Sequence, residues 1–343
     1  MRVQFRTNIL LLCCGLFICI AVSASMGYIK IPLLDVIKIT AYKITGNKRF
    51  IYGINHIYPY VIWDVRIPRI LTSVIVGAGL SICGVVFQAL LLNPLADPYT
   101  LGISAGAAFG GSIALLLNIS WFGIYSVSIF AFMGAVGTLI AVLSISKSSG
   151  YLSSYTLILS GIIVSAILSA FISFIKYIAD EQVAILIFWL MGSFVSKSWT
   201  EVITTFTIVS IGFIIFLFLA KDLNIISLGD KTASSLGINP EKIRLILLIS
   251  ASLITAGCVS VSGIIGFVGL VIPHLMRFFV GSNAERLIPA SAIAGALLLM
   301  GADTITRAIL PREVPIGVIT AIIGGPFFCY IFIKRNSVDT YGR

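Results

Sequence analysis

Residues 77–108 read GAGLSICGVVFQALLLNPLADPYTLGISAGAA, and Asp97 is the one charged side chain in the stretch. An apolar run reaches Leu92, Asn93-Pro94-Leu95-Ala96-Asp97-Pro98 interrupts it, and a run of small and apolar residues resumes. Residues that precede proline resist the α conformation. Asn93-Pro94 and Asp97-Pro98 therefore predict a kinked turn between two helices, not one continuous helix. Gly77, Gly79 and Gly84 stand before the turn, and Gly102, Gly106 and Gly110 follow it at four-residue spacing. Small residues so spaced let helix backbones approach closely in lipid, where apolar burial gives little drive for association.

The rest of the chain extends this pattern. Of 343 residues, 59% are hydrophobic and 10% charged, and the mean hydropathy is +1.09. A soluble domain carries about 25% charged and 45–50% apolar residues. That composition excludes a soluble enzyme, a disordered chain and a nucleic-acid reader. A membrane helix takes about 20 apolar residues. Long uncharged stretches lie near 8–29, 70–92, 99–118, 121–146, 152–175, 202–220, 243–262, 264–280, 287–306 and 314–333. The expected fold class is all-α, a polytopic membrane protein of about ten transmembrane helices. Arg2 and Arg6 ahead of a run ending at Ala21-Val22-Ser23-Ala24-Ser25 resemble a signal peptide, but the run is long and more membrane follows, so a retained first helix is expected.

The net charge is 23 − 13 = +10, and basic residues at span ends orient helices. Ten spans place both termini on one side, so Arg2, Arg6, Lys334 and Arg335 assign the termini to the cytoplasm. The outer loop 30–69 runs against that bias, with Lys30, Lys38, Lys43, Lys48, Arg49, Arg66 and Arg69. Tyr58, Tyr60 and Trp63 near its end suit an interfacial aromatic belt. An outer interfacial helix is expected at about 183–195, with Trp189 and Phe194. Residues 221–242 form a cytoplasmic loop in which Asp230 caps a short helix ending near Gly237, and Asn239-Pro240-Glu241 starts the next long one. Ser81–Phe87 faintly resembles Ser260–Phe267, as inverted repeats would.

The chain lacks GxxxxGK[ST], HExxH and GxSxG. Its two histidines are His56 and His274, and its six cysteines form no CxxC pair. The cysteines read as small core hydrophobes. Gln88 and Asp303 are the main polar residues within the spans. Ion-coupled carriers place titratable groups at membrane depth, so a secondary transporter is the remote alternative. The chain is not expected to be an enzyme or to carry a cofactor.

Arg66-Ile67-Pro68-Arg69, the stretch 77–108, Trp189-Leu190-Met191-Gly192, LGDKTASSLGI from Leu228, SGIIGFVGLVIPHLMR from Ser262 and Val314-Pro315-Ile316-Gly317-Val318 together resemble the FecCD-type permeases of ATP-binding-cassette importers. The resemblance runs from about residue 60 to the C-terminus. It implies type II importer architecture: one transmembrane permease domain over 1–343, placed multi-pass in the cytoplasmic (inner) membrane. It implies two ATPase subunits, a second permease copy in a homodimer or a sister permease, and an extracytoplasmic solute-binding protein, with no nucleic acid. The cargo it implies is a metal chelate, iron–siderophore first, with haem, cobalamin or an oxyanion as alternatives. Carried over by motif, Arg66, Arg69 and Arg307 dock the binding protein. Leu228, Gly229, Asp230, Ala233, Ser234, Leu236 and Gly237 form the ATPase coupling element. Asn93, Leu95, Ser154 and Tyr155 belong to the gate. Glutamate at Arg66 and Arg69 is then expected to abolish docking, and bulky charge at Ala233 to uncouple the ATPase.

Overall fold

The computed structural model describes residues 2–148, 153–310 and 313–341, with side chains over 11–180 and 182–329 within those. In chain order the helices are α1 (Arg2–Ser25), α2 (Leu33–Thr45), α3 (Ile57–Tyr60), which runs through a wide π turn at Val61–Arg66 into α4 (Ile67–Leu90), α5 (Ile103–Leu116), α6 (Ser126–Ser148), α7 (Ser154–Ile178), α8 (Val183–Leu190), α9 (Trp199–Phe218), α10 (Ala220–Ile226), α11 (Asp230–Ser235), α12 (Pro240–Ser262), α13 (Val268–Val280), α14 (Ala284–Ala308) and α15 (Ile316–Tyr341). No strand occurs among the described residues.

Six helical runs among the described residues are long and apolar enough to cross a membrane: Ile57–Leu90, Gly123–Ser148, Ser154–Ile178, Trp199–Phe218, Pro240–Ser262 and Ala284–Ala308. Shorter apolar helices at Leu11–Ser25, Ile103–Leu116, Val268–Val280 and Ile316–Cys329 occupy the other four expected stretches. The chain is a multi-pass helical membrane protein. Helix starts follow local chemistry. Ser153 Oγ accepts from Thr156 N at 3.1 Å while Thr156 Oγ1 accepts from Ser153 N at 3.2 Å. Asn239 Oδ1 accepts from Lys242 N at 3.0 Å, with Pro240 at the first helical position, as expected.

α4 is the axis of the bundle, packed by α14, α12, α9 and α13, while α5 lies against α6. Small residues make these contacts. A Cβ on Gly84 would meet the carbonyl oxygen of Gly269, one on Gly77 that of Gly295, and one on Gly134 that of Gly106. The glycine spacing read from the sequence is thus used for backbone approach. Cys83 and Cys258 are buried in the same core, whereas Cys14, Cys19 and Cys329 lie on the outer apolar surface, where the sequence reading had placed core residues.

Three boundaries differ from expectation. The outer loop 30–69 is largely helical, and the helix containing α4 begins at Ile57, well before residue 70. α5 starts at Ile103 and α13 at Val268, so each spans about 20 Å at 1.5 Å per residue, short of a roughly 30 Å hydrocarbon layer. Both follow a longer helix and a non-helical segment, at 91–102 and 263–267. Broken backbone at membrane depth is tolerated only where protein or water satisfies it. Here protein does so. The Tyr99 hydroxyl donates to Ile265 O and accepts from Ile265 N at 3.2 Å, joining the two breaks. Ser193 N donates to Ser262 O at 2.7 Å, and Ile316 N and Gly317 N donate to Gly192 O and Met191 O at 3.0 Å. Gly263, at φ +72°, faces the Trp189 carbonyl where any Cβ would sit.

Replacing Gly84 with alanine is expected to destabilise the fold by about 1–3 kcal/mol through overpacking. Gly137→Ala, where the added methyl meets open space, should be neutral or stabilising by up to about 1 kcal/mol. Thermal melts of both variants in detergent test the pair.

Candidate functional site

At one end of the bundle α1, α4, α14 and the start of α15 converge on three arginines. Arg66 Nη1 donates to Ala24 O at 2.7 Å and Ser25 O at 3.3 Å, and its Nη2 to Ile29 O. Arg69 lies between two carboxylates, with Nε 2.9 Å from Asp303 Oδ1 and Nη1 2.9 Å from Glu313 Oε1. Arg307 Nη2 donates to Ser23 O at 2.9 Å and Ser23 Oγ at 3.0 Å, its Nη1 to Met26 O, and its Nε stands 3.9 Å from Asp303 Oδ2. Asp303 is wholly buried, so its charge is balanced by Arg69 and Arg307 together. The sequence singled out Arg66, Arg69 and Arg307 and noted Asp303 apart from them. The structure brings all four together, turned inward. Glutamate at Arg66 or Arg69 would set like charges beside Asp303 and Glu313 or strand backbone carbonyls, so that substitution tests folding before it tests docking.

The opposite end carries the kinked turn. Asn93 Oδ1 accepts from Leu95 N at 2.9 Å, and Asp97 Oδ1 accepts from Tyr99 N at 3.0 Å and from Thr100 Oγ1 at 2.9 Å. The turn is therefore clamped by its own side chains. Ser154 Oγ donates to Leu90 O at 3.0 Å, bringing the start of α7 against the end of α4. Of the four gate candidates, Asn93 and Ser154 are held in place, while Leu95 and Tyr155 are exposed. Beside the turn lies a cavity of about 370 Å³ lined by Gln88, Asn93, Asn224, His274, Arg277 and Ser282. Gln88 bridges it, accepting from Arg277 and donating to Leu270 O at 3.2 Å.

The expected coupling element, residues 228–237, lies at this same end. α11 is only six residues, entered through Gly229 at φ +103° and left through Gly237 at φ +81°. Ala233 is wholly buried and anchors the element to the core, whereas Leu228 and Leu236 are 66% and 60% exposed. Ala233 thus faces the body and not a partner, so bulky charge there would eject α11 instead of reporting on ATPase contact. Asp230 does not cap the helix as the sequence suggested. Its carboxylate takes a fork from Arg244, with Nη2 at 2.7 Å from Oδ1 and Nη1 at 3.2 Å from Oδ2. Arg244 is buried in α12, and a paired guanidinium–carboxylate fork fixes geometry as well as energy. A cavity of about 620 Å³ separates α11 from the start of α7 and is lined by Ser153, Asp230, Ser234, Asn239, Glu241 and Arg244.

Two interrupted helices in a membrane bundle, with a clamped turn and a small exposed helix at one end, define a polytopic helical membrane protein with one structured end. The chain belongs to the FecCD transport family, whose profile matches residues 15–334. It is 37% identical over 325 residues to the uncharacterized ABC transporter permease protein YvrB of Bacillus subtilis (strain 168), covering 94% of this chain and 92% of that one. It is 39% identical to the probable iron chelatin transport system permease protein of Helicobacter pylori (strain J99), covering 81% and 84%. Relatives of similar identity are named for molybdate, cobalamin and hemin import. A solved ABC transporter assigned to the metal-chelate type, in an inward-facing conformation, superposes with a TM-score of 0.84 at 33% identity, covering 96% of this chain and 99% of that one. The chain is a permease subunit of an ABC importer, and ATP hydrolysis lies in a separate subunit.

Removing the shared carboxylate by Asp303→Leu should cost about 3–5 kcal/mol, because two arginines are left buried without it. Glu313→Gln, at a half-exposed partner, should cost at most about 1 kcal/mol. Thermal melting of the two variants reads the contrast.

Proposed function

We propose that this subunit imports a metal chelate, an iron–siderophore complex first among candidates, across the cytoplasmic membrane. Two ATPase subunits drive it, a second copy of the chain completes the pathway, and an extracytoplasmic binding protein delivers the cargo. The observation that carries the reading is the build of α11. Leu228 and Leu236 project outward from an element held rigidly behind by Ala233 and the Asp230–Arg244 fork. Exposed apolar knobs on a fixed base suit a groove in a soluble partner. A displacement of α11 would reach α12 through Arg244, and α12 ends at the break near Gly263. A partner shifts such an equilibrium only by binding its two states unequally.

The gate reading fits the same mechanics. Leu95 and Tyr155 are the exposed side chains available to seal against a second copy, while Asn93 and Ser154 keep the turn from sagging. Docking of the binding protein belongs to the end where Arg66, Arg69 and Arg307 gather. Those arginines shape that rim from within, and an acidic partner reaching Arg69 would compete with Asp303 and Glu313. The ion-coupled alternative is disfavoured because Asp303 is already committed to Arg69 and Arg307. Haem, cobalamin and oxyanions remain alternative cargoes, since relatives at comparable identity differ in the cargo they are named for.

Co-reconstitution with the ATPase and binding protein tests this reading. Cargo-loaded binding protein should stimulate ATP turnover, and Leu228→Asp with Leu236→Asp should cut that stimulation about tenfold or more, equivalent to at least about 1.4 kcal/mol. The thermal stability of the isolated subunit should be unchanged. Full stimulation in the double variant would remove α11 from the coupling path.

A further inference from the structure

The segment between α1 and α4 contains a helix that crosses nothing. α2 packs Val36 and Ile39 against a small core that includes Ala24, Ile31, Ile62 and Ile70. That is one apolar face, and the helix has a second. At 100° per residue, Leu33, Leu34, Ile37, Ala41 and Ile44 fall on one arc pointing away from the body. Leu34, Ile37 and Ile44 are 62%, 54% and 73% exposed. A surface helix of a water-soluble structure would fill that arc with polar residues.

The chemistry around the stripe is cationic. Residues 27–56 carry Lys30, Lys38, Lys43, Lys48 and Arg49 against the single carboxylate Asp35, a balance of 5 − 1 = +4 with His56 neutral. Among the described residues none of these five cations is in an ion pair. Lys43 lies 5.9 Å from the centre of the Trp63 ring, and Trp63 in turn packs on Trp199 with ring centres 5.0 Å apart. With Tyr58 and Tyr60 nearby in the sequence, these tryptophans form the aromatic layer that marks a membrane–water interface. α2 also packs on α1, whose Phe17, Ile18 and Val22 are exposed, as is Met26 just after it. Both helices thus leave large aliphatic side chains uncovered.

We propose that α2 lies in the plane of the membrane surface, sinking Leu34, Ile37 and Ile44 among the acyl chains while Lys30, Lys38 and Lys48 hold anionic phospholipid headgroups. An apolar stripe beside unpaired lysines is the pattern of an in-plane interfacial helix, and its binding depends on lipid charge. A soluble protein partner would match the charge but would not account for three large uncovered aliphatic side chains on a helix packed against the apolar α1. The arrangement explains why this loop is basic against the orienting bias of the other loops. Its lysines anchor a surface helix at the headgroup layer.

The test places a benzophenone photo-crosslinking residue at Ile37 or Ile44 of the full chain, in vesicles of phosphatidylcholine with or without phosphatidylglycerol. Lys231, exposed on α11 at the opposite end, is the control position. Irradiation should yield lipid adducts at both α2 positions and not at Lys231, with a several-fold preference for phosphatidylglycerol when it is present. Lys30→Gln with Lys38→Gln and Lys48→Gln should abolish that preference while leaving lipid adducts, which separates lost charge recognition from lost folding. Absence of lipid adducts at both α2 positions would overturn the proposal. So would adducts to the binding protein in place of lipid once it is added. Equal yields from the two lipids in the unaltered chain would overturn the anionic assignment.

Discussion

A backbone polar group left bare in hydrocarbon costs several kcal/mol, and this apolar bundle contains two non-helical segments, 91–102 and 263–267. Everything else depends on how those breaks are satisfied. Tyr99 reaches from the first break to both backbone groups of Ile265 in the second. The segment after α8 and the start of α15 close onto the end of α12. α4, α5, α12 and α13 are thereby joined through backbone groups and one hydroxyl. The glycine contacts at Gly84–Gly269 and Gly106–Gly134 follow from this arrangement, because short helices must pack tightly to bury their exposed ends.

The polar side chains divide by end. At the arginine end, charge is internal: Arg66, Arg69 and Arg307 are consumed by Asp303, Glu313 and the carbonyls that finish α1. That end is stiff. At the opposite end the Asp230–Arg244 fork ties only the base of α11, and the flanking Leu228 and Leu236 stay exposed. Rigidity behind an exposed apolar surface is what transmission of a push requires.

Much of this was legible in the chain because it is local. Ten apolar stretches, the prolines at 94 and 98, the glycine spacing and the Asn239-Pro240 start each depend on residues within one or two turns. The parts that were not legible depend on distant partners. Arg69 and Asp303 are 234 residues apart, so Arg69 read as a surface charge and Asp303 as an isolated polar residue. Asp230 read as a cap because that is its local option, but a buried guanidinium 14 residues on offers two charge-assisted bonds and wins. Ala233 could not be assigned a face, since six residues make too short a helix for periodicity to show which side is buried. The late start of α13 was hidden because its break, Gly263-Ile264-Ile265-Gly266-Phe267, is as apolar as the helices it joins, and Tyr99–Gly102 just after the proline turn likewise carries no charge to mark where α5 begins.

On the proposed function, solute passage through this conduit is powered from outside the chain, at the end that bears α11. Uptake into proteoliposomes is the most direct measure, comparing the permease alone, with its ATPase lacking nucleotide, and with ATP present, while ion gradients are held constant. A separate ATP-driven engine requires cargo accumulation only in the last case. Accumulation at full rate by the permease alone on an ion gradient would contradict it.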